Sequence, residues 1–555
     1  MSASAIALFS IGLFFIAYRF YSRYLANSLF NLSNEIDQEA PAHKYNDGID
    51  YSPTKKEILF GHHFSSIAGA APIVGPAVAA IWGWVPALIW VVFGVIFMGA
   101  CHDFGALVVS MKHKGESIAN VAEDLLGKRV RNLFLIVIFF LVWMVIAVFA
   151  LVIANLFITF PSSVIPVNFE IIIAVLMGVF INKKGKSLKL PSILAQATLF
   201  IMIYIGTIYP ISLEPIFGQN QLMAWIIFLL IYSFIASILP VWTLLQPRDY
   251  INGHQLFLGL TLMIVGLIVI NPVIVAPAVN PNPVGAPPIF PFLFITIACG
   301  AVSGFHGLVS GGTTSKQVSK WKDARVIGYG SMLGEGLLAL LATLAVTTGF
   351  ASSEAWHSHY SNWNAANGLS AKINAFVLGA GNFVSGVGIP QEVSRTVIAV
   401  LIISFAATSL DTACRIQRYI IQELGGAMKI PILKNRFVGS GIAVTSAFLL
   451  MLTNSNGKGG LHLWPLFGAT NQMLAALTLI VITFYLYKNK KNTLPFIIPA
   501  IFLLIITTIG LFLNIESFIS TGNIMLTSIG VILLLIQLWI IGETIIIRKK
   551  LKLVP

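Results

Sequence analysis

The chain has 555 residues, of which 57% are hydrophobic and only 10% charged, and its mean hydropathy is +0.87. A soluble protein carries about 25% charged residues, because its surface must be hydrated. The composition therefore argues against a soluble enzyme, a disordered chain or a secreted disulfide scaffold, and it indicates a polytopic membrane protein. The formal net charge of +13 suggests either an acidic partner or a membrane-orientation signal, and the positions of the basic residues decide between them.

Apolar runs long enough to cross a hydrocarbon core of about 30 Å recur along the chain. They predict an all-α fold with about fifteen transmembrane helices, at 3–24, 61–81, 84–111, 132–158, 169–182, 190–212, 221–245, 255–276, 289–313, 326–350, 394–414, 437–453, 463–487, 494–514 and 524–547. A short glycine-rich stretch at 373–390 is interpreted as a re-entrant or surface helix. The loops between these segments are too short to fold as soluble domains.

The basic residues predict the orientation of the chain. With the N-terminus outside and the C-terminus in the cytoplasm, 31 of the 34 lysines and arginines fall on the cytoplasmic side, including Arg248, and only Lys372, Arg395 and Lys458 do not. This asymmetry is the positive-inside pattern of membrane proteins. The net charge is therefore interpreted mainly as an orientation signal, with the lipid bilayer as partner and no nucleic acid.

Ionisable side chains inside predicted helices are the main chemical signal, because such groups are costly in hydrocarbon. His102, His306 and Glu335 each stand ten residues from a basic residue that marks one end of their helix. At about 1.5 Å per residue, all three are predicted about 15 Å deep, near the midplane. Together with Asp103, they are predicted to carry protons or ions.

Histidines and carboxylates are also metal ligands. The candidates are His62, His63, His102 and Asp103, and the first two are expected near the membrane interface. No HxxxH spacing supports a metal, so no cofactor is predicted beyond a driving ion, H⁺ or Na⁺.

Glycine and proline interrupt two of the predicted helices. Secondary transporters use such breaks to expose backbone groups to substrate. The predicted substrate-binding residues are Gly69, Ala70, Pro72, Gly75, Ser303, Gly304 and His306. For any single glycine, however, close helix packing is the more frequent explanation.

Long motifs in the chain resemble the carbon starvation protein A (CstA) family. They include FGHHFSSIAGAAPIVGPAVAAIWGW, GACHDFGALVVSMKHKGESIA, GFHGLVSGGTTSKQ, IGYGSMLGEG and WPLFGATNQMLAALTL, and the resemblance extends from about residue 57 to 485. It implies a bacterial or archaeal inner-membrane transporter of peptides, or of pyruvate with protons. It also implies kinship with LeuT-like transporters, with a 5+5 inverted-repeat core and extra N- and C-terminal helices.

The resemblance leaves the numbering of the core helices open. If 289–313 is the eighth core helix, Thr313 and Thr314 stand where sodium-coupled relatives bind sodium. The segment TSLDT at 408–412 resembles the same site and would shift the register. Within that segment, Asp411 stands four residues before Arg415 and is interpreted as half of an interfacial salt bridge. The chain is divided into a transporter core at 1–390 and a five-helix region at 391–555.

The favoured function is a secondary active transporter that imports peptides or pyruvate-like carboxylates by alternating access, coupled to protons. The candidate coupling residues are His102, Asp103, His306, Glu335, Thr313 and Thr314. A sodium-coupled symporter, a membrane nutrient sensor without transport and an intramembrane metalloenzyme are the alternatives. The oligomeric state is left open.

Overall fold

The structure is a computed structural model that describes residues 2–35, 38–184, 189–452 and 463–553. Helices joined by loops make up this part of the chain, and its extended pairings are isolated bridges. A helix satisfies its own backbone hydrogen bonds, which is what a lipid environment requires. Twelve described helices are long and apolar enough to span a membrane: Ala3–Leu29, Trp84–Lys112, Lys128–Thr159, Pro161–Phe180, Pro191–Ile208, Glu214–Ile238, Leu245–Ile270, Trp321–Thr348, Gln391–Ala427, Trp464–Lys488, Leu494–Ser520 and Ile524–Lys549.

The predicted all-α membrane fold is confirmed, whereas the count of fifteen spanning helices stays a prediction. A bent pair of helices raises the number of described candidate spans to thirteen. The predicted segment 437–453 corresponds to a shorter helix, Arg436–Met451, and 289–313 corresponds to three short helices. Lys458 lies outside the described residues.

The bent pair is the helix that the sequence predicts to be broken. Its first half-helix, Lys56–Ala68, ends at Gly69, and its second half-helix, Ala71–Ala79, begins after Ala70, with a bend of 40° between them. Gly69 has a φ of +44°, a conformation that favours glycine. The break therefore lies where the sequence places it.

The other glycine-rich segment is broken twice. It consists of Ile289–Thr296, Ala298–Ala301 and Gly304–Gly312, and we call the last of these the glycine helix. Val302 and Ser303 are extended and interrupt the helix, although the Val302 N–H still donates a hydrogen bond to the carbonyl of Ala298 at 2.7 Å. The two broken segments pack directly against each other.

Helix Gln391–Ala427, which we call the central helix, passes through the middle of the bundle. It packs against Lys128–Thr159 and the first half-helix, and its most apolar stretch is completely enclosed by protein. The division of the chain at residue 390 stays a prediction.

The short stretch predicted at 373–390 forms helix Leu369–Ser385, which other helices enclose, and its interpretation as a re-entrant or membrane-surface helix stays a prediction. Ile373, Phe376 and Phe383 are buried, because the helix packs between Trp321–Thr348 and the central helix. Glycines permit this close approach, since a Cβ on Gly379 would overlap the backbone of Ala345.

Three basic residues that the sequence assigns to cytoplasmic connections are buried instead. Arg248, Arg415 and Arg418 are each at most 3% exposed. They form ion pairs inside the protein and so contribute less to a water-facing positive side than their sequence positions suggest. The predicted orientation of the two termini remains a prediction.

Candidate functional site

Four ionisable side chains from three helices lie in contact near the middle of the bundle. His102 and Asp103 belong to Trp84–Lys112, His306 to the glycine helix and Glu335 to Trp321–Thr348. All four are fully buried. We call this set the histidine chain. The residues that the sequence predicts at one depth of the membrane are therefore in direct contact in the structure.

The contacts of the histidine chain follow one another in order. Asp103 Oδ1 lies 2.7 Å from His102 Nδ1, and Asp103 Oδ2 lies 3.0 Å from His306 Nδ1. The opposite nitrogen of His306, Nε2, lies 3.3 Å from Glu335 Oε2. Because imidazole and carboxyl groups both gain and lose protons, this order can hold exchangeable protons on three different helices.

Several atoms of the histidine chain have no hydrogen-bond partner among the described residues. They are His102 Nε2 and Glu335 Oε1, and also His306 Nε2 and Glu335 Oε2, whose 3.3 Å ion-pair contact lacks hydrogen-bond geometry. An unpaired buried polar group is costly, so natural proteins keep such groups where a ligand, water or proton completes them. A side chain on Gly307 would press on the ring of His102, at 2.9 Å from Cε1, so the glycine makes room for the imidazole.

The break between the half-helices is lined by hydroxyl groups of the central helix. Ser409 Oγ donates a hydrogen bond to the carbonyl of Ser66 at 3.0 Å, and Ser66 Oγ lies 3.4 Å from Thr412 Oγ1. A Cβ on Gly69 would lie 2.9 Å from Ser409 Oγ. The segment at 408–412 therefore meets the first half-helix beside its break.

The rival sodium-site segment also contacts the first half-helix, but farther from the break. Thr314 Oγ1 lies 2.8 Å from His63 Nδ1, whereas Thr313 Oγ1 is buried without a hydrogen-bond partner among the described residues. Hydroxyl oxygens of both segments thus reach the first half-helix, and the register of the core helices stays a prediction.

At the second break, which lies at Val302 and Ser303, one asparagine binds the start of the glycine helix. Asn471 Oδ1 accepts hydrogen bonds from the backbone N–H of Phe305 at 2.9 Å and from Ser303 Oγ at 3.1 Å. Asn471 therefore acts as a cap for the glycine helix from a neighbouring helix, Trp464–Lys488. Gly304 is required here, because a Cβ would overlap the backbone of Asn471.

The predicted substrate-binding residues are distributed over both breaks. Gly69 and Ala70 separate the half-helices, Pro72 stands in the first turn of the second half-helix, and Ser303 precedes the glycine helix. Gly75 also has a packing role, since its Cβ position faces the backbone of the neighbouring broken segment. Their part in binding substrate stays a prediction.

A second buried cluster contains a charge that the sequence interpretation placed wrongly. Asp411 Oδ2 pairs with Arg248 Nη1 and accepts from the hydroxyl of Tyr232 at 2.9 Å, so it does not pair with Arg415 at an interface. Asp249 Oδ1 lies 3.2 Å from Arg248 Nη2. We call Tyr232, Arg248, Asp249 and Asp411 the arginine cluster. It is enclosed because three helices converge on it.

The expected depth of His62 and His63 near the membrane interface stays a prediction. Both are fully buried, and each contacts a different network. His62 Nδ1 lies 2.5 Å from Asp249 Oδ2, whereas His63 bonds to Thr314. In the described part of the chain, no group of three or more His, Cys, Asp or Glu side chains has a geometry that could hold a metal ion.

Sequence reasoning missed Asp249, Asn471 and Glu170. Asp249 follows Arg248 in a segment that reads as a loop, and Asn471 is an uncharged residue in a polar motif. Glu170 could have been found from the sequence, because it is a single carboxyl group in the apolar run NFEIIIAV. It is 2% exposed, and Oε2 accepts a hydrogen bond from Ser404 at 2.8 Å.

The family model for carbon starvation protein CstA matches residues 2–356 and 354–510. The chain belongs to this family. It is 32% identical to the pyruvate/proton symporter BtsT of Escherichia coli, over 93% of this chain and 82% of that protein. It is 31% identical to the peptide transporter CstA of Campylobacter jejuni, over 92% of this chain and 80% of that protein. The peptide transporter CstA of Bacillus subtilis is 32% identical, over 91% of this chain and 89% of its own length.

Solved structures similar to this CstA family member include two variants of a manganese transporter of Eremococcus coleocola. The TM-scores are 0.51 and 0.52, with 10% and 11% sequence identity, and the matches cover 89% and 91% of this chain and 95% and 99% of the solved chains. At this identity the likeness concerns the fold alone. The relatives are transporters and not enzymes, which establishes a membrane transporter, and the candidate spans make it a multi-pass one.

Proposed function

We propose that this protein is a proton-coupled secondary transporter that imports a small carboxylate-bearing nutrient by alternating access. The observation that carries the proposal is the histidine chain. Its four titratable groups connect the glycine helix to two neighbouring helices, with no water-facing side chain among them. A proton bound there changes the attraction between helices that move relative to each other in an alternating-access cycle.

The charge balance of the histidine chain supports proton binding. Two carboxyl groups and two imidazoles are enclosed together, and no lysine or arginine among the described residues pairs with them. An isolated buried charge is expensive, so protonation and deprotonation are favoured in steps that keep the set close to neutral. The set can therefore gain a proton at one stage of a cycle and release it at another.

The substrate class is inferred from the two breaks and from the relatives. Peptides and pyruvate, the substrates in the names of the relatives, share a carboxylate group. The second half-helix and the glycine helix both begin at the breaks, and a helix N-terminus favours negative charge. We therefore place the carboxylate of the substrate between Gly69–Pro72 and Ser303–His306.

Sodium coupling is the second candidate, favoured by the oxygens beside the first break. The carbonyl of Ser66 and the hydroxyls of Ser409 and Thr412 lie together there. Such neutral oxygens suit a hard cation. In this alternative, the histidine chain stabilises the bundle without exchanging protons.

Uptake into proteoliposomes distinguishes the two ions. With the membrane potential held at zero, each coupled proton supports about a tenfold accumulation per unit of pH gradient. We expect labelled pyruvate or labelled dialanine to accumulate in response to a pH gradient. Accumulation that follows a sodium gradient and ignores the pH gradient would refute proton coupling.

The site is tested by Glu335→Gln, which keeps the shape of the side chain and removes its proton. We expect accumulation to fall about tenfold, the equivalent of one proton at one pH unit. Counterflow exchange needs no net proton movement and reports the amount of active protein. The matched control is Glu214→Gln, since Glu214 is exposed at the start of the short helix Glu214–Phe217. A Glu335→Gln protein that accumulates substrate as the control does would rule out this site.

A further inference from the structure

The first half-helix connects two separate buried networks through consecutive residues. His63 contacts Thr314 beside the histidine chain, and His62 contacts Asp249 of the arginine cluster. The first half-helix and helix Leu245–Ile270 can approach closely only because of glycine, since a Cβ on Gly253 would lie 2.8 Å from the Cα of Gly61. The proposed function uses only the first of these networks.

The arginine cluster has one negative charge more than it has positive charges. Arginine side chains remain protonated in proteins, and the guanidinium of Arg248 faces the two carboxyl groups of Asp249 and Asp411. Both carboxyl groups are fully buried, and Asp411 Oδ1 has no hydrogen-bond partner among the described residues. An uncompensated buried charge is strongly unfavourable, so one additional proton makes the set neutral.

His62 is the group placed to hold that proton. Its Nδ1 lies 2.5 Å from Asp249 Oδ2, and Asp249 Oδ1 also accepts a hydrogen bond from Thr408 at 3.0 Å. Both carboxylate oxygens of Asp249 therefore have hydrogen-bond partners, so this carboxylate can stabilise a protonated imidazole on His62. The other nearby carboxyl, Glu170, accepts from Ser404 and forms no ion pair among the described residues.

Other titratable groups on the elements around His62 have different partners. At least five elements pack against the first half-helix, and their titratable side chains include Arg248, Asp249, Tyr250 and His254 (on Leu245–Ile270), His306 (on the glycine helix), Arg325 and Tyr329 (on Arg325–Gly330), Glu335 (on Ser331–Thr348) and Asp411 and Arg415 (on the central helix). Only Asp249 is within ion-pair distance of His62 in the described part of the chain.

A row of polar side chains leads from His62 to a partly exposed loop. His62 Nε2 lies 3.3 Å from Gln317 Nε2, and Gln317 Oε1 accepts from Gln246 at 2.8 Å. Gln246 also donates to Thr54 Oγ1 at 3.0 Å, in the loop that precedes the first half-helix. An amide offers both a donor and an acceptor, so Gln317 can follow a change of charge on the imidazole by rotating.

We propose that His62 and Asp249 form a second proton-binding site, distinct from the histidine chain, which is filled and emptied once in each transport cycle. The proposal rests on the proposed proton-coupled function. The bound proton holds the first half-helix to Leu245–Ile270 and the central helix through a charged hydrogen bond. When the proton leaves through the Gln317 row, the contact weakens and the half-helix is released. The protein therefore moves two protons with each substrate.

The test counts protons per substrate with full-length protein in proteoliposomes. At zero membrane potential and a gradient of one pH unit, two protons support about 100-fold accumulation and one proton about tenfold. We expect about 100-fold accumulation of labelled pyruvate or dialanine by the unaltered protein. We expect about tenfold accumulation by Asp249→Asn and by the double variant His62→Gln/Asp249→Asn, with counterflow used to normalise for active protein.

The variants are chosen because they leave the arginine cluster neutral without a proton. Removing the charge of Asp249 leaves Arg248 paired with Asp411. The matched control is His254→Gln on the same helix, because His254 is exposed and bonds to the carbonyl of Tyr250. This control is expected to match the unaltered protein.

Each outcome decides between the two proposals. Equal accumulation by the unaltered protein and both variants overturns the second site and leaves proton coupling intact. Accumulation of only about tenfold by the unaltered protein also overturns the second site, even if the variants fail to fold, since one proton then suffices. If the unaltered protein ignores the pH gradient altogether, the proposed function fails and the second site fails with it.

Discussion

Replacing Gly75 by alanine tests whether close packing of the two broken segments is needed for transport. The new Cβ would lie 2.5 Å from the carbonyl oxygen of Thr296 and 3.0 Å from the Cα of Ile297. Ordinary carbon–oxygen contacts are about 3.3 Å or longer, so the two segments must separate by about 0.8 Å. Both obstructing atoms belong to the backbone and cannot be relieved by a change of rotamer.

The expected cost follows from two opposing terms. Overpacking costs about 1–3 kcal/mol, and the obstruction by backbone places this case near the upper end. Alanine in place of glycine inside a helix returns up to about 1 kcal/mol. The net loss of about 1–2 kcal/mol corresponds to about a 5- to 30-fold lower population of the conformation described here. If that conformation is visited in every cycle, counterflow slows by the same factor.

The measurement compares Gly75→Ala with Gly12→Ala in counterflow and in thermal unfolding in detergent. Gly12 also lies inside a helix, but a Cβ there meets no atom within 4 Å, so this control isolates the helix-propensity gain. We expect the control to be at least as stable and as active as the unaltered protein. Equal behaviour of the two variants would refute the packing argument.

Two further predictions concern polar contacts at the second break and at the loop side of the bundle. Asn471→Ala leaves the backbone N–H of Phe305 without its acceptor, so we expect a loss of about 1–3 kcal/mol, seen as a lower unfolding temperature. Burial alone would raise the pKa of Asp50 in the loop at 45–55, but Arg415 and Arg418 hold that pKa below its usual value. The stabilisation is therefore present above the usual carboxyl pKa of about 4 and is lost as the pH falls through the lowered value. As the pH falls through this range, the unfolding temperatures of the unaltered protein and of Asp50→Asn should converge. Plots of unfolding temperature against pH that stay parallel would contradict this assignment.

The fold was largely predictable from the sequence, because hydropathy and helix length are local properties. The break at Gly69 was predictable for the same reason, since glycine and proline act on the adjacent backbone. The burial of helix Leu369–Ser385 was not, because it depends on which neighbours enclose it. A moderately polar helix reads the same in sequence whether protein or water surrounds it.

The histidine chain was predictable because each member stands alone in an apolar helix at a countable depth. The arginine cluster was not, because Arg248 and Asp249 are adjacent and look like a solvated loop pair. The partner of Asp411 was mistaken for the same reason. A charge four residues away in sequence was assumed to be nearer than Arg248, which reaches it from another helix.

The first half-helix also has a mechanical consequence. Its 13 residues span about 20 Å, and His62 lies about 10 Å from Gly69, the natural pivot. A tilt of about ten degrees about that pivot displaces the imidazole by about 2 Å, which is enough to break a hydrogen bond. His63 lies about 9 Å from the same pivot, so the tilt also changes its distance from Thr314. Because adjacent helix residues point in directions about 100° apart, the direction of the tilt determines which of the two histidine contacts breaks first.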